Sequence, residues 1–90
     1  MSAVSESLSQ LEVLVVDCQA TAAAPRGHLL EVGWARAGAA RTDPQARLIA
    51  LPSGERIPRA VARLTGISDR MSQNGIDAQV AWSELSSEAA

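Results

Sequence analysis

Asp17, Cys18, Gln19 and Thr21 stand together at the end of an apolar run, Leu-Glu-Val-Leu-Val-Val over residues 11–16. On a strand, side chains two apart share a face, so Asp17 and Gln19 point one way and Cys18 the other. A carboxylate at a strand end turns the chain, caps a loop or meets a hard cation, for which carboxylate oxygen is the preferred donor. The amide oxygen of Gln19 can also coordinate a cation but brings no negative charge. Cys18 is the single cysteine, which excludes an internal disulfide and a structural zinc site and points to a reducing compartment. Its place opposite Asp17 reads as core filling rather than a nucleophile. His28 reads as a solvated loop residue. Arg56, Arg59, Arg63 and Arg70 form a basic run, ordinarily a solvated face. Trp34 and Trp82 carry rings that can stack on bases. Trp34 shares a strand face with Leu30 and Val32, which assigns it to the core.

These residues must be held by a small framework. The chain has 90 residues, so one domain is the ceiling. A domain of this size buries only about 60–65% of its unfolded surface. With no Phe or Tyr, its interior falls to Leu, Val, Ile, Ala and the two tryptophans. The net charge of −2 and pI near 5.2 argue against a surface dedicated to coating nucleic acid. They leave room for an enzyme that grips one strand end and binds cations through carboxylates. Residues 1–10 are Ser-rich, lack a basic and an apolar region, and read as a frayed tail rather than a signal peptide. No apolar run approaches the roughly 20 residues of a membrane span. The default expectation is a soluble cytoplasmic protein with no membrane partner.

Residues 11–17 read as a strand buried on both faces. Residues 20–27, with Pro25 and Gly27, read as a loop. Residues 29–36 form a second strand, with Leu30, Val32 and Trp34 on one face and Glu31, Gly33 and Ala35 on the other. After a turn over 38–44, residues 47–51 form a third, closed by Pro52-Ser53-Gly54. The short connections favour antiparallel neighbours, with the first strand expected in the centre. The period then changes. Pro58 suits the first turn of a helix, with Val61 and Leu64 on its inner face and Gly66 in the left-handed conformation after it. A further turn spans 67–71, and Asn74-Gly75 is a strong turn signal. Asp77 caps a last helix that directs Ala78, Ala81, Trp82 and Leu85 inward, and residues 86–90 are weakly specified. Three strands leave a short sheet with an apolar edge, as at the front of a larger domain.

Two blocks of residues resemble the DEDD 3′–5′ exonuclease superfamily, in its branch with a catalytic histidine that includes polymerase proofreading subunits. The first is Val15-Val16-Asp17-Cys18-Gln19-Ala20-Thr21-Ala22, followed by His28 to Ala35. It is similar to the family's strand ending in Asp-x-Glu-Thr-Thr-Gly and to the next strand. The second is Ile57-Pro58, then Leu64-Thr65-Gly66-Ile67-Ser68-Asp69-Arg70-Met71. The resemblance spans residues 11–85, and two blocks in order at family-like spacing are more specific than either alone. It implies an α/β, ribonuclease H-like exonuclease fold, of which this chain carries the N-terminal portion: three antiparallel strands followed by helices. Residues 11–90 are then a partial exonuclease-like domain.

The family hydrolyses phosphodiesters with two divalent cations, Mg²⁺ or Mn²⁺, that bracket the attacking and leaving oxygens about 3.5–4 Å apart. By that resemblance Asp17 is the first metal ligand and, with Gln19, marks the catalytic position. Thr21, Thr65, Gly66 and Ile67 belong to the pocket for the 3′ end of a single-stranded nucleic acid. The arginines flanking that pocket gain a reading as phosphate contacts. The sequence departs from the pattern at Gln19, where the family has Glu, and at Ala20 and Ala22. The family's later Asp, His and Asp find no match in these 90 residues. Glu31, on the strand beside Asp17, is a candidate to replace the lost charge, against a plainer role of bonding a neighbouring loop.

The leading expectation is a 3′–5′ exonuclease-type nucleic-acid-processing domain of the kind used in DNA repair. The alternative is a catalytically inactive exonuclease-like module that binds nucleic acid or a protein. The exposed apolar sheet implies a homo-oligomer or a covering remainder of the domain.

Overall fold

The computed structural model describes residues 12–38 and 43–89. The expected tail over residues 1–10 and most of the 38–44 turn lie outside them. Three strands form one antiparallel sheet: β1 (Val13–Ala20), β2 (Leu29–Ala37) and β3 (Gln45–Leu48). Three helices follow, α1 (Arg59–Thr65), α2 (Asp69–Gln73) and α3 (Ala78–Ala89). This is the α/β arrangement expected from the sequence.

The strand order is β1-β2-β3, so β2 occupies the centre and β1 the edge. That corrects the expectation of a central first strand. Each short connection pairs a strand with its immediate successor, which leaves the middle strand of three in the middle. The correction extends to burial. Val13, Val15 and Val16 are exposed, with Val15 at 53%. An apolar run identifies a strand but does not supply the layers that bury it.

β1 and β2 are joined by a loop that contains a cis Ala24–Pro25 bond. The Thr21 amide donates to the His28 carbonyl at 2.9 Å, and the His28 amide donates to the Thr21 hydroxyl, also at 2.9 Å. Only glycine fits at position 27, because a Cβ there would lie 1.7 Å from the Ala22 carbonyl oxygen. β3 is four residues long and continues into a parallel bridge between Ile49 and Ile76. The expected third strand over 47–51 is therefore displaced towards the N-terminus.

The core has two clusters. Val32, Trp34 and Ile49 of the sheet region pack with Ala81 and Leu85 of α3. Leu30 packs in the second cluster with Ile57 and Ile67, backed by Val61 and Ala62. Leu30, Val32 and Trp34 thus share the buried face, as alternation predicts. Buried Ser72 ties α2 to the chain after β3: its hydroxyl donates to the Ile49 carbonyl at 3.0 Å and accepts from the Leu51 amide at 3.2 Å.

Side chains cap the N-termini of α2 and α3, at Asp77 as expected and at Ser68 in addition. The Ser68 hydroxyl accepts from the Met71 amide at 3.1 Å, and the Asp77 carboxylate from the Gln79 amide at 2.8 Å. Gly66 ends α1 at φ 74°, the left-handed conformation expected of it. Three inward assignments fail. Leu64 is 88% exposed and Trp82 65%, and Ala78 also faces solvent. On α1 the inner stripe is taken by Val61, Ala62 and Thr65; on α3 it is the i, i+4 pair Ala81 and Leu85. α3 also runs through to Ala89, beyond the point where sequence specificity fades.

Two arginines seat α3 on the sheet. Arg47 of β3 lies over the Trp34 ring, 5.2 Å from its centroid, and pairs with Glu84 at 3.0 Å. Arg36 of β2 pairs with Glu88 at 3.3 Å and with Glu12 at 3.5 Å. Glu84 and Glu88, four apart on α3, thus flank the Ala81–Leu85 seam.

Candidate functional site

The registry of β1 on β2 assembles the candidate site. Asp17 stands opposite Gly33, and Gln19 opposite Glu31. Directly opposed residues of an antiparallel pair project from the same face, about 4.5–5.5 Å apart at Cβ. Gln19 and Glu31 are therefore neighbours, and Asp17 is diagonal to Glu31 on that face. Gly33, opposite Asp17, adds no side chain there. The buried residues Val32 and Trp34 point to the other face, towards α3.

The site's acids are uncommitted. Asp17 is exposed, and among the described residues its carboxylate accepts only the amide of its neighbour Cys18, at 3.0 Å. Half-buried Glu31 makes no hydrogen bond or ion pair among the described residues, so the expected bond to a neighbouring loop is not formed. Sequence alternation placed Glu31 on the face away from the core. Its registry opposite Gln19 is information that only strand pairing supplies.

The second block is organised differently. The Thr65 hydroxyl donates to the Val61 carbonyl at 2.8 Å and accepts from the Ile67 amide at 3.1 Å. Ile67 is buried in the cluster with Leu30 and Ile57. That cluster brings the turn over residues 64–67 to the end of β2 that carries Glu31. What the turn presents to solvent is Leu64 and Gly66. Thr21 lies on the β1 side of the same end and closes the hairpin loop through His28.

Two other candidates move. Cys18 is exposed rather than core filling. It stands opposite Val32 on the helix-bearing side, but on an edge strand that no element among the described residues covers there. His28 is half-buried and lies 3.9 Å from Glu55, so it faces the loop after β3 rather than Asp17.

A pair of divalent cations needs several converging acids, each neutralising part of the charge and fixing a position. Asp17 and Glu31 contribute two carboxylates, and Gln19 an amide oxygen. Among the described residues no group of three or more His, Cys, Asp or Glu is placed to hold a metal. The described residues alone do not fit a two-cation centre. What they provide is an open face with two free carboxylates.

No protein-family model and no curated protein matches the chain. Among solved structures its fold is similar to the crystal structure of a full-length 3′-exonuclease, with a TM-score of 0.70 at 12% identity. The match covers 82% of this chain and 27% of that one, so the chain spans about a quarter of its structural neighbour's length. The three antiparallel strands and following helices of this chain thus form an exonuclease-like, ribonuclease H-like fold.

Proposed function

We propose that this chain is part of a 3′–5′ exonuclease-type nucleic-acid-processing domain of the DEDD kind. The observation that carries the reading is the face of β1 and β2 where Asp17 and Glu31 flank Gln19; among the described residues neither carboxylate has a partner beyond Asp17's own neighbour. The exonuclease-like fold supports it. Asp17 would hold Mg²⁺ or Mn²⁺, whose chemistry when bound is to polarise a phosphodiester and activate water. Thr21, Thr65, Gly66 and Ile67 would shape the pocket for a 3′ end. Since the Thr65 hydroxyl and the Ile67 side chain are engaged internally, Gly66 and neighbouring Leu64 are the surface that pocket would offer.

One observation favours a second reading, a catalytically inactive exonuclease-like module. Gln19 contributes a dipole where the resembling family has a charge, and the described residues gather fewer than three acids. Mn²⁺ titration and release of nucleotides from an end-labelled single strand separate the two. The 90-residue chain is expected to bind Mn²⁺ weakly, to bind it about tenfold more weakly still in Asp17→Asn, and to release no nucleotide. Gln19→Glu is expected to tighten Mn²⁺ binding about tenfold, the order of one added charge near a dication in a solvent-exposed site. Metal-dependent release that Asp17→Asn abolishes would refute the inactive reading and assign Glu31, or an acid from a second subunit, to the site.

A further inference from the structure

The arginines divide into two sets. Arg36 and Arg47 are paired with glutamates and seat α3 on the sheet. Arg56, Arg59, Arg63 and Arg70 are exposed, and among the described residues none of them has an ion-pair partner. Arg26, on the β1–β2 loop, is likewise unpaired but lies apart in sequence. The acid within residues 56–70 is Asp69, and its carboxylate is engaged by the Ile57 amide at 2.8 Å. That bond holds Arg56 and Arg70 close together, since one precedes Ile57 and the other follows Asp69. On α1, Val61, Ala62 and Thr65 turn towards the core. Arg59 and Arg63, four apart, share the outer face with Leu64.

A solvated helical face ordinarily interleaves charges of both signs, and like charges four apart repel. Here four exposed arginines outnumber the two neighbouring acids, Glu55 and Asp69, in a chain whose net charge is −2, and the Asp69 carboxylate is already engaged by a backbone amide. Every basic residue of the chain is arginine, whose planar fork matches a phosphate in two parallel hydrogen bonds. Leu64, 88% exposed among them, offers an apolar contact that free phosphate has no use for and a nucleotide does.

We infer that Arg56, Arg59, Arg63 and Arg70, with exposed Leu64 beside Arg63, form a surface that grips the phosphates of a single-stranded nucleic acid without calling on the Asp17 carboxylate. The inference rests on the nucleic-acid reading above and gives the strand a footing that needs neither metal nor hydrolysis. The test is anisotropy of a labelled single strand of mixed sequence, in EDTA, across a salt series. The proteins are the wild-type chain, Arg59→Gln/Arg63→Gln, Arg56→Gln/Arg70→Gln, Arg59→Lys/Arg63→Lys and Asp43→Asn, with circular dichroism confirming that each is folded.

Each glutamine pair is expected to weaken binding at least about fivefold and to lower the slope of log K against log salt by about 1.4, at roughly 0.7 per phosphate contact on a single strand. The lysine pair keeps the wild-type slope, and Asp43→Asn, at an exposed carboxylate away from both sites, binds as wild type. Wild-type affinity in both glutamine pairs would overturn the inference, as would an equal loss of binding in Asp43→Asn. Polyglutamate displacing the strand as well as unlabelled strand does would overturn it too, in favour of an acidic protein partner. Arginine-dependent binding without metal-dependent release would leave this surface standing and refute hydrolysis. A wild-type chain that binds no strand would refute the surface, while Mn²⁺ titration still judges Asp17.

Discussion

Asp17 is poised by what surrounds it rather than by its own chemistry. Its carboxylate keeps one local hydrogen bond, and the residue across the strand pair is glycine. The nearest charge that registry delivers to its face is Glu31, diagonal to it and opposite Gln19. The two acids are therefore expected to act on the same cation. Glu31→Gln should weaken Mn²⁺ binding as much as Asp17→Asn does, roughly tenfold for one lost charge in a solvent-exposed site. Calorimetric titration of the two variants measures this, and wild-type affinity in Glu31→Gln would place Glu31 outside the site. Glu31→Gln combined with Gln19→Glu, which moves the charge one strand over, should return binding close to wild type.

At the scale of elements, α3 decides whether the sheet has a core at all. Its contacts are of two kinds, and their magnitudes differ. Leu85 is buried against Val32, Trp34 and Ile49, and truncating such a leucine to alanine costs about 2–5 kcal/mol. The Arg47–Glu84 pair is partly exposed, and pairs of that kind contribute about 0–1 kcal/mol. Urea unfolding should therefore show a large loss in Leu85→Ala and a small one in Glu84→Gln. The reverse order would mean that the arginines, and not the apolar seam, hold α3. Ser72→Ala falls between them. It leaves the Leu51 amide and Ile49 carbonyl without their hydroxyl partner, at about 1–3 kcal/mol.

At the scale of the molecule, the unprotected feature among the described residues is β1. It is an edge strand of eight residues with exposed valines and with neither lysine nor proline to discourage pairing. Beside it a groove of about 500 Å³ is lined by Leu14, Val16, Trp82, Leu85, Ser86 and Ala89. We expect this side to be covered by a second copy or by further chain of a larger domain. Sedimentation of the 90-residue chain should then give a mass above 9.4 kDa that rises with concentration. Val15→Lys, which puts a charge on the edge, should shift it towards monomer. A well-folded monomer at high concentration would count against the expectation.

The elements themselves were legible in the sequence because they depend on local rules. Alternation placed Leu30, Val32 and Trp34 on one face, and short turns made the strands antiparallel. Asp77 capped α3, and Gly66 terminated α1 in the conformation that glycine tolerates best. The pairing of Asp17 with Gln19 on one face also follows from period two alone. What only the tertiary structure decided is which strand sits in the middle, and hence what is covered. β1 looked buried on both faces because its residues are apolar, yet burial depends on neighbouring layers that a strand's own sequence does not specify. For the same reason Cys18, Leu64 and Trp82 are exposed despite their apolar character. Strand registry belongs to the pair rather than to either strand, so the placement of Glu31 opposite Gln19 appears only once β1 and β2 are aligned. The two sets of arginines, paired and unpaired, become distinct only when α3 brings Glu84 and Glu88 to one set and leaves the other facing solvent.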